Sequence, residues 1–236
     1  SHLRRAMDAL DNLPRAARSI ADGAIGRVEV AATSAIIHGL LPPLISRYVA
    51  ARPGLAPLLA MRSLSEIASL GADQRFDLVF IPAPMRPSGL VWVGQIDFAL
   101  ELIAPLGRFD PNLAPLDVRT LDGCDFISLD PFARFQADIE STIAGAGARV
   151  RYACETTSVI AALRLVQLGV GCTCVDRFVA AGVPGDTGTR HKTDPPLPGA
   201  YSIFTRPGSP MNADTRLMLE LLATLVKDYG ATLVVS

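Results

Sequence analysis

The sequence predicts an α/β protein built on parallel sheets. Three observations carry this. The first 80 residues alternate strand, helix, strand, helix, strand. Residues 77–81 (DLVFI) form a short, almost wholly apolar run, the pattern of a strand buried on both faces. A second stretch of the same alternation follows a long apolar segment at residues 90–106. With 50% apolar and 19% charged residues, the chain can bury a sizeable core.

Residues 1–20 read as a helix. Leu3, Ala6, Met7 and Leu10 fall at i, i+3, i+4, i+7, and Leu13 extends the stripe. A narrow Leu/Met stripe of this kind suits either a surface helix or a helix that pairs with another copy. Gly26 opens the folded part. Residues 28–33 (VEVAAT) are a strand, with Thr33-Ser34 placed to cap the helix at 35–51. Pro42-Pro43 interrupts that helix and starts its second half. Arg52-Pro53-Gly54 stops it.

Residues 55–61 are the next strand, and Ser63 and Ser65 precede the next helix. Residues 125–129 (DFISL), 150–155, 172–175 and 200–205 (AYSIFT) read as strands. Helices are expected over 132–146, 159–168 and 213–229. Gly169-Val170-Gly171 is a helix stop. Residues 182–199, rich in Gly, Pro and Thr, read as an irregular surface segment.

Composition excludes several functions. Lys plus Arg total 22 against 23 Asp plus Glu, a net charge of −1, which lacks the basic footprint that phosphate backbones require. At 6% aromatics, a stacking platform for single strands is not expected. Cys124, Cys154, Cys172 and Cys174 show no C-x-x-C spacing, and a chain of this size and cysteine density predicts free thiols in a reducing compartment. The apolar run at 159–175 contains Arg164, Gln167, Gly169 and Gly171, so it is not a membrane span. There is no nucleophile elbow, phosphate loop or metal-binding H-E-x-x-H. His2, His38 and His191 lie far apart, and no metal or cofactor site is predicted. Ser1-His2 with no Met looks like a tag remnant.

What recurs is a hydroxyl cluster between a strand end and a helix start: Thr33-Ser34, Ser63/Ser65 and Thr156-Thr157-Ser158. Each sits where open backbone N–H groups favour a polar or anionic group, and ligands of α/β sheets bind at the carboxyl ends of strands. As simple helix caps they would need no ligand. Their recurrence in both α/β segments points to a cleft for a small polar ligand.

The order of these features resembles the effector-binding part of LysR-type transcriptional regulators across residues 3–230. Leu3-Arg4-Arg5-Ala6 looks like the end of that family's linker helix. Gly26 with VEVAAT and Ser34 resembles its first strand and effector loop. Leu40-Leu41-Pro42, Tyr48 and Arg52-Pro53-Gly54 resemble its "LLP…F…P" helix. Residues 76–80 resemble its "G-x-x-D-L-A-I" strand, with Arg75-Phe76 in place of Gly-x. Residues 126–128 and 155–158 resemble the second lobe, and residues 165–171 resemble "L-V-x-x-G-x-G".

The resemblance implies a two-lobed, type 2 periplasmic-binding-protein-like α/β fold, each lobe a Rossmann-like sheet flanked by helices. It implies a linker helix at 1–25, a first lobe of 26–100 plus 207–236, and a second lobe of 101–206. The effector cleft would fall on Thr33, Ser34, Ser63, Ser65, Ser128, Asp130, Thr157, Val175, Asp176 and Phe204. Residues around Asp130, 155–158 and 175–177 look most like regulators of amino acids or opines, although Val175-Asp176-Arg177-Phe178 departs from that subgroup's Asn-Pro. A carboxylate is a further ligand class. For an amino acid, Arg62 is a candidate for the carboxylate, and Asp130 or Asp176 for the ammonium.

The implied partners are a small-molecule effector, a second copy of the chain (dimer, then tetramer), and DNA through a winged helix-turn-helix ahead of residue 1. No cofactor, metal or membrane partner is expected, and the implied compartment is the cytoplasm. A transport-system solute-binding protein shares the fold but would carry a signal peptide. An enzyme on this fold would need a base beside a nucleophile in the cleft, which the hydroxyls do not supply.

Overall fold

The computed structural model describes residues 28–70, 76–112, 115–129, 134–208 and 211–235. The expected linker helix at 1–25 lies outside these residues. The strands are β1 (Glu29–Ala32), β2 (Leu58–Met61), β3 (Leu78–Pro82), β4 (Val91–Ala104), β5 (Leu116–Asp117), β6 (Asp125–Leu129), β7 (Arg151–Thr156), β8 (Thr173–Asp176), β9 (Thr189–His191), β10 (Thr193–Asp194), β11 (Pro198–Thr205) and β12 (Thr232–Val235). The helices are α1 (Ser34–His38), α2 (Leu41–Ala51), α3 (Leu64–Ala68), α4 (Arg134–Gly145), α5 (Val159–Gln167), α6 (Arg177–Ala181) and α7 (Ala213–Asp228).

The first lobe's sheet runs β12-β4-β11-β3-β1-β2. β1 pairs parallel with β2 and with β3, as the alternating pattern predicts. The short β3 is buried at Leu78, Val79, Phe80 and Ile81, which explains its unbroken apolar run. α2 and α7 cover one face. Leu41, Leu44 and Tyr48 of α2 and Met218, Leu222 and Leu225 of α7 join one core. These positions recur at helical spacing, so each helix buries a single stripe. Pro42-Pro43 sits in the first turn of α2, where a missing N–H costs nothing. The break in the predicted 35–51 helix falls earlier, at Gly39-Leu40.

The long apolar segment is β4, and it links the lobes. Its first part pairs with β11 and β12, whereas Leu100–Ala104 pair with β8 and β9. In the second lobe β6 and β7 pair in parallel. Cys172 joins them to β8 by exchanging backbone bonds with Asp125 and Ile127. α5 ends as read: Gly169 takes φ +80°, and its N–H and that of Val170 satisfy the last carbonyls.

Two expectations need correction. The return to the first lobe was placed at residue 206, but β11 is hydrogen-bonded into the first lobe's sheet along its whole length, from Pro198. The crossover therefore precedes residue 198. The 182–199 segment is not wholly irregular or superficial. β9 adds to the far end of β4, and Thr187, His191 and Leu197 are buried. Pairing with a distant strand overrides the turn-like composition here. All four cysteines are free thiols, and burial pushes that of Cys172 up to about 12.

Candidate functional site

β1, β8 and β11 bring their residues to a cleft between the lobes. It has an inner chamber and an outer basin, joined at Thr33, Ser34 and Thr157, which line both. The chain leaves β1 through Thr33 into α1, so these side chains project at the carboxyl edge of the sheet. Thr33 stands in the N-cap position of α1 but makes no side-chain cap bond. Its hydroxyl is buried with no hydrogen-bond partner among the described residues. Ser34 Oγ accepts from Val159 N at 3.3 Å and so ties α1 to the start of α5 in the opposite lobe. Gly39 closes the same seam, because a Cβ there would sit 2.7 Å from Val179 Cγ2 and from Val179 N.

Ser63 and Ser65 line the outer basin. Ser63 forms a capping box with Glu66, accepting from Glu66 N at 3.3 Å while its own N–H donates to Glu66 Oε2 at 2.7 Å. Its hydroxyl also donates to Glu66 Oε2 at 2.8 Å and lies 3.0 Å from Ser65 Oγ. The Ser63 N–H and hydroxyl, with Arg62 adding attraction, hold the Glu66 carboxyl below its ordinary range. Arg62 lines the same basin, donates to Met61 O at 2.8 Å and stacks over Phe76 at 5.6 Å. Met61 and Ile160, from opposite lobes, are 55% and 56% exposed on its walls.

Val175 and Asp176 line the inner chamber. Asp176 caps α6, its Oδ1 accepting from Phe178 N and Val179 N at 2.9 Å each. Its Oδ2 accepts the Tyr201 hydroxyl at 2.6 Å. Burial pushes the Asp176 carboxyl up to about 6, against the pull of these donors. Burial and the adjacent carboxylate likewise raise Tyr201.

The remaining predicted residues divide. Ser128 is buried with no partner for its hydroxyl among the described residues, and it lines neither cavity. Asp130 lies outside the described residues. Phe204 packs with Ala31, Ile67 and Val79 in the core on the other face of the sheet, away from the cleft. Tyr201, on the same strand, reaches the chamber instead. Sequence reasoning also missed Gln136, Pro82 and Cys174. Side-chain alternation along β11 could have paired Tyr201 with Ile203 and set Phe204 apart.

Residues 21–227 match the LysR substrate binding domain family. The HTH-type transcriptional regulator IlvR of Caulobacter vibrioides is 26% identical over 175 residues, 72% of this chain and 58% of that protein. The chain thus spans under two thirds of that relative. Among solved structures, the chain is similar to the CcmR regulatory domain of Synechocystis PCC6803 in complex with 2-PG (TM-score 0.68, 18% identity, 86% of this chain and 98% of that one). It is also similar to CbnR, a LysR family transcriptional regulator (TM-score 0.75, 20% identity, 95% of this chain and 78% of that one). The mixed α/β architecture is the type 2 periplasmic-binding-protein-like, two-lobe fold. With most of its length matched, the chain belongs to the LysR substrate-binding domain family.

Proposed function

We propose that the chain senses a small-molecule effector in the inter-lobe cleft and controls transcription through a longer protein. The observation that carries this is the Thr33 hydroxyl, a buried donor and acceptor at the junction of the two cavities, with no partner among the described residues. Such groups are costly unless something completes them. Residues from both lobes meet there, so a ligand that contacts both biases the lobe angle, a hinge motion. Only its differential affinity for the two angles, typically ~1–3 kcal/mol, drives the switch. The CcmR domain solved with 2-PG supports a small metabolite in a domain of this kind.

In this reading the whole protein works in the cytoplasm as a homo-oligomer, with DNA bound by another domain. The lobes divide near residue 99, where β4 passes from pairing with β11 to pairing with β8, and near residue 198, where β11 begins. Sensing fits better than catalysis, because Asp176, the buried acid of the chamber, is held by Tyr201 and two backbone N–H groups and not by a nucleophile. The test is thermal melting of the chain against amino acids, opines, carboxylic acids and aromatic acids. A ligand at about 100 times its Kd adds ~2.7 kcal/mol, and Thr157→Val and Ser34→Ala are expected to reduce the shift. A full shift in both variants would remove the cleft as the binding site.

A further inference from the structure

We propose that the cleft's ligand is a small zwitterion of the α-amino-acid type, its compact apolar side chain in the inner chamber and its charged head at the junction and in the outer basin. This rests on the effector-cleft reading and adds the ligand's chemical class.

The inner chamber rejects charge. Its walls include Ala35, Leu100, Phe126, Ile139 and Val175, and among the described residues no Lys, Arg or His lines it. Its deep polar groups are already engaged with protein. Asp176 holds Tyr201 and two backbone N–H groups, and Gln136 Nε2 donates to Tyr152 Oη at 2.7 Å. A carboxylate or ammonium placed there would lose its water and find no opposite charge free to receive it among the described residues. The volume is about 70 Å³. At ~10–15 Å³ per water-sized group, that admits an apolar group of roughly five to seven non-hydrogen atoms.

The polarity reverses at the junction. Arg62 N donates to Ala32 O at 2.9 Å, and Ala32 is in register with Met61. Arg62 therefore leaves β2 beside the point where Thr33 leaves β1, one strand spacing (~4.8 Å) away. Arg62 makes no ion pair among the described residues and faces the basin. Glu66 lies on the same rim, its Oε2 held by Ser63. One cation and one anion on a single rim complement a ligand head that carries both charges. A plain carboxylate would meet Glu66 with repulsion, and a plain amine would meet Arg62 so. Thr33 and Thr157 add hydroxyls where the head passes into the chamber.

Calorimetry on the chain tests this with L-leucine, L-isoleucine, L-valine, L-methionine and L-phenylalanine. Controls are 4-methylpentanoate, which lacks the ammonium, 3-methylbutylamine, which lacks the carboxylate, and L-aspartate and succinate. At least one apolar amino acid should bind, at least tenfold tighter than every control, and Arg62→Gln should weaken it at least tenfold. Ala35→Leu, which narrows the chamber, should shift the preference toward L-alanine. Because Ala35→Leu can perturb folding, the exposed-side Arg62→Gln carries the decision. Tighter binding of succinate or L-aspartate, lost in Thr33→Val, would overturn this proposal and leave the effector cleft standing. Failure of all five apolar amino acids at millimolar concentration also overturns it. Binding indifferent to both Arg62→Gln and Thr33→Val would sink the proposal and the effector-cleft reading together.

Discussion

Tyr201 donates its hydroxyl to Asp176 Oδ2 at 2.6 Å, joining a strand of the first lobe to a helix start in the second. Both residues line the inner chamber. The bond thus lies where ligand binding and lobe angle meet. Removing it with Tyr201→Phe leaves a buried carboxylate one donor short. Hydrogen bonds to charged groups contribute ~1.5–3 kcal/mol, so urea denaturation should show a loss of that order.

The same carboxyl makes stability depend on pH. Its folded pKa, raised to about 6, lies above the ~3.9 of an unfolded Asp. The folded state therefore holds the proton more tightly. The contribution is complete below about pH 4 and is lost as pH rises through about 6. Asp176→Asn keeps a cap oxygen without the charge, so the variant should gain on the natural chain between pH 4 and 7. Melting series of the two chains at matched pH check this. A constant difference across that range would contradict it.

Arg177 offers a second inter-lobe joint. From α6 its guanidinium donates to the carbonyls of Tyr229 and Gly230 at the end of α7. A cation at a helix C-terminus completes carbonyls that lack intrahelical partners. Arg177→Met should cost about 1–2 kcal/mol, measured by denaturation, and should widen the lobe separation seen in solution scattering.

Gly39 should tolerate no side chain. A Cβ there would meet backbone and side chain of Val179 at 2.7 Å, and backbone cannot swing aside. Gly39→Ala should destabilise by about 1–3 kcal/mol, and about 2–4 °C of melting temperature is expected per kcal/mol. An unchanged melting point would mean that α1 and α6 are not packed this closely.

Legibility followed local chemistry. The Gly169 stop and the helix start after Ser63 were readable because each is made by residues close in sequence, whereas the reciprocal Ser63–Glu66 bonds were not read. Thr33, Ser34 and Thr157 were readable from the rule that hydroxyls at strand ends face a cleft. Phe204 was misplaced because β11 is buried on both faces, so apolar character alone does not tell Tyr201's side from Phe204's. The crossover at 198 was missed because Pro198 and Gly199 look like loop while pairing with Ala99 and Phe98, far away in sequence. Ser128 was expected in the effector cleft, yet Phe126 and Leu129 of its strand line the chamber and Ser128 does not.

The buried hydroxyls of Thr33 and Ser128, without a partner among the described residues, give the most direct test. Thr33→Val replaces a buried hydroxyl with a methyl of the same shape, and Ser128→Ala deletes one outside the cavities. Free of ligand, each variant should match or exceed the natural chain's stability, by up to about 1 kcal/mol. The measurement is calorimetric titration of both variants with whichever panel compound stabilises the natural chain. A cleft that senses its effector through Thr33 predicts binding weakened at least tenfold in Thr33→Val and unchanged in Ser128→Ala. Equal binding in all three chains would contradict the assignment of this cleft as the sensing site.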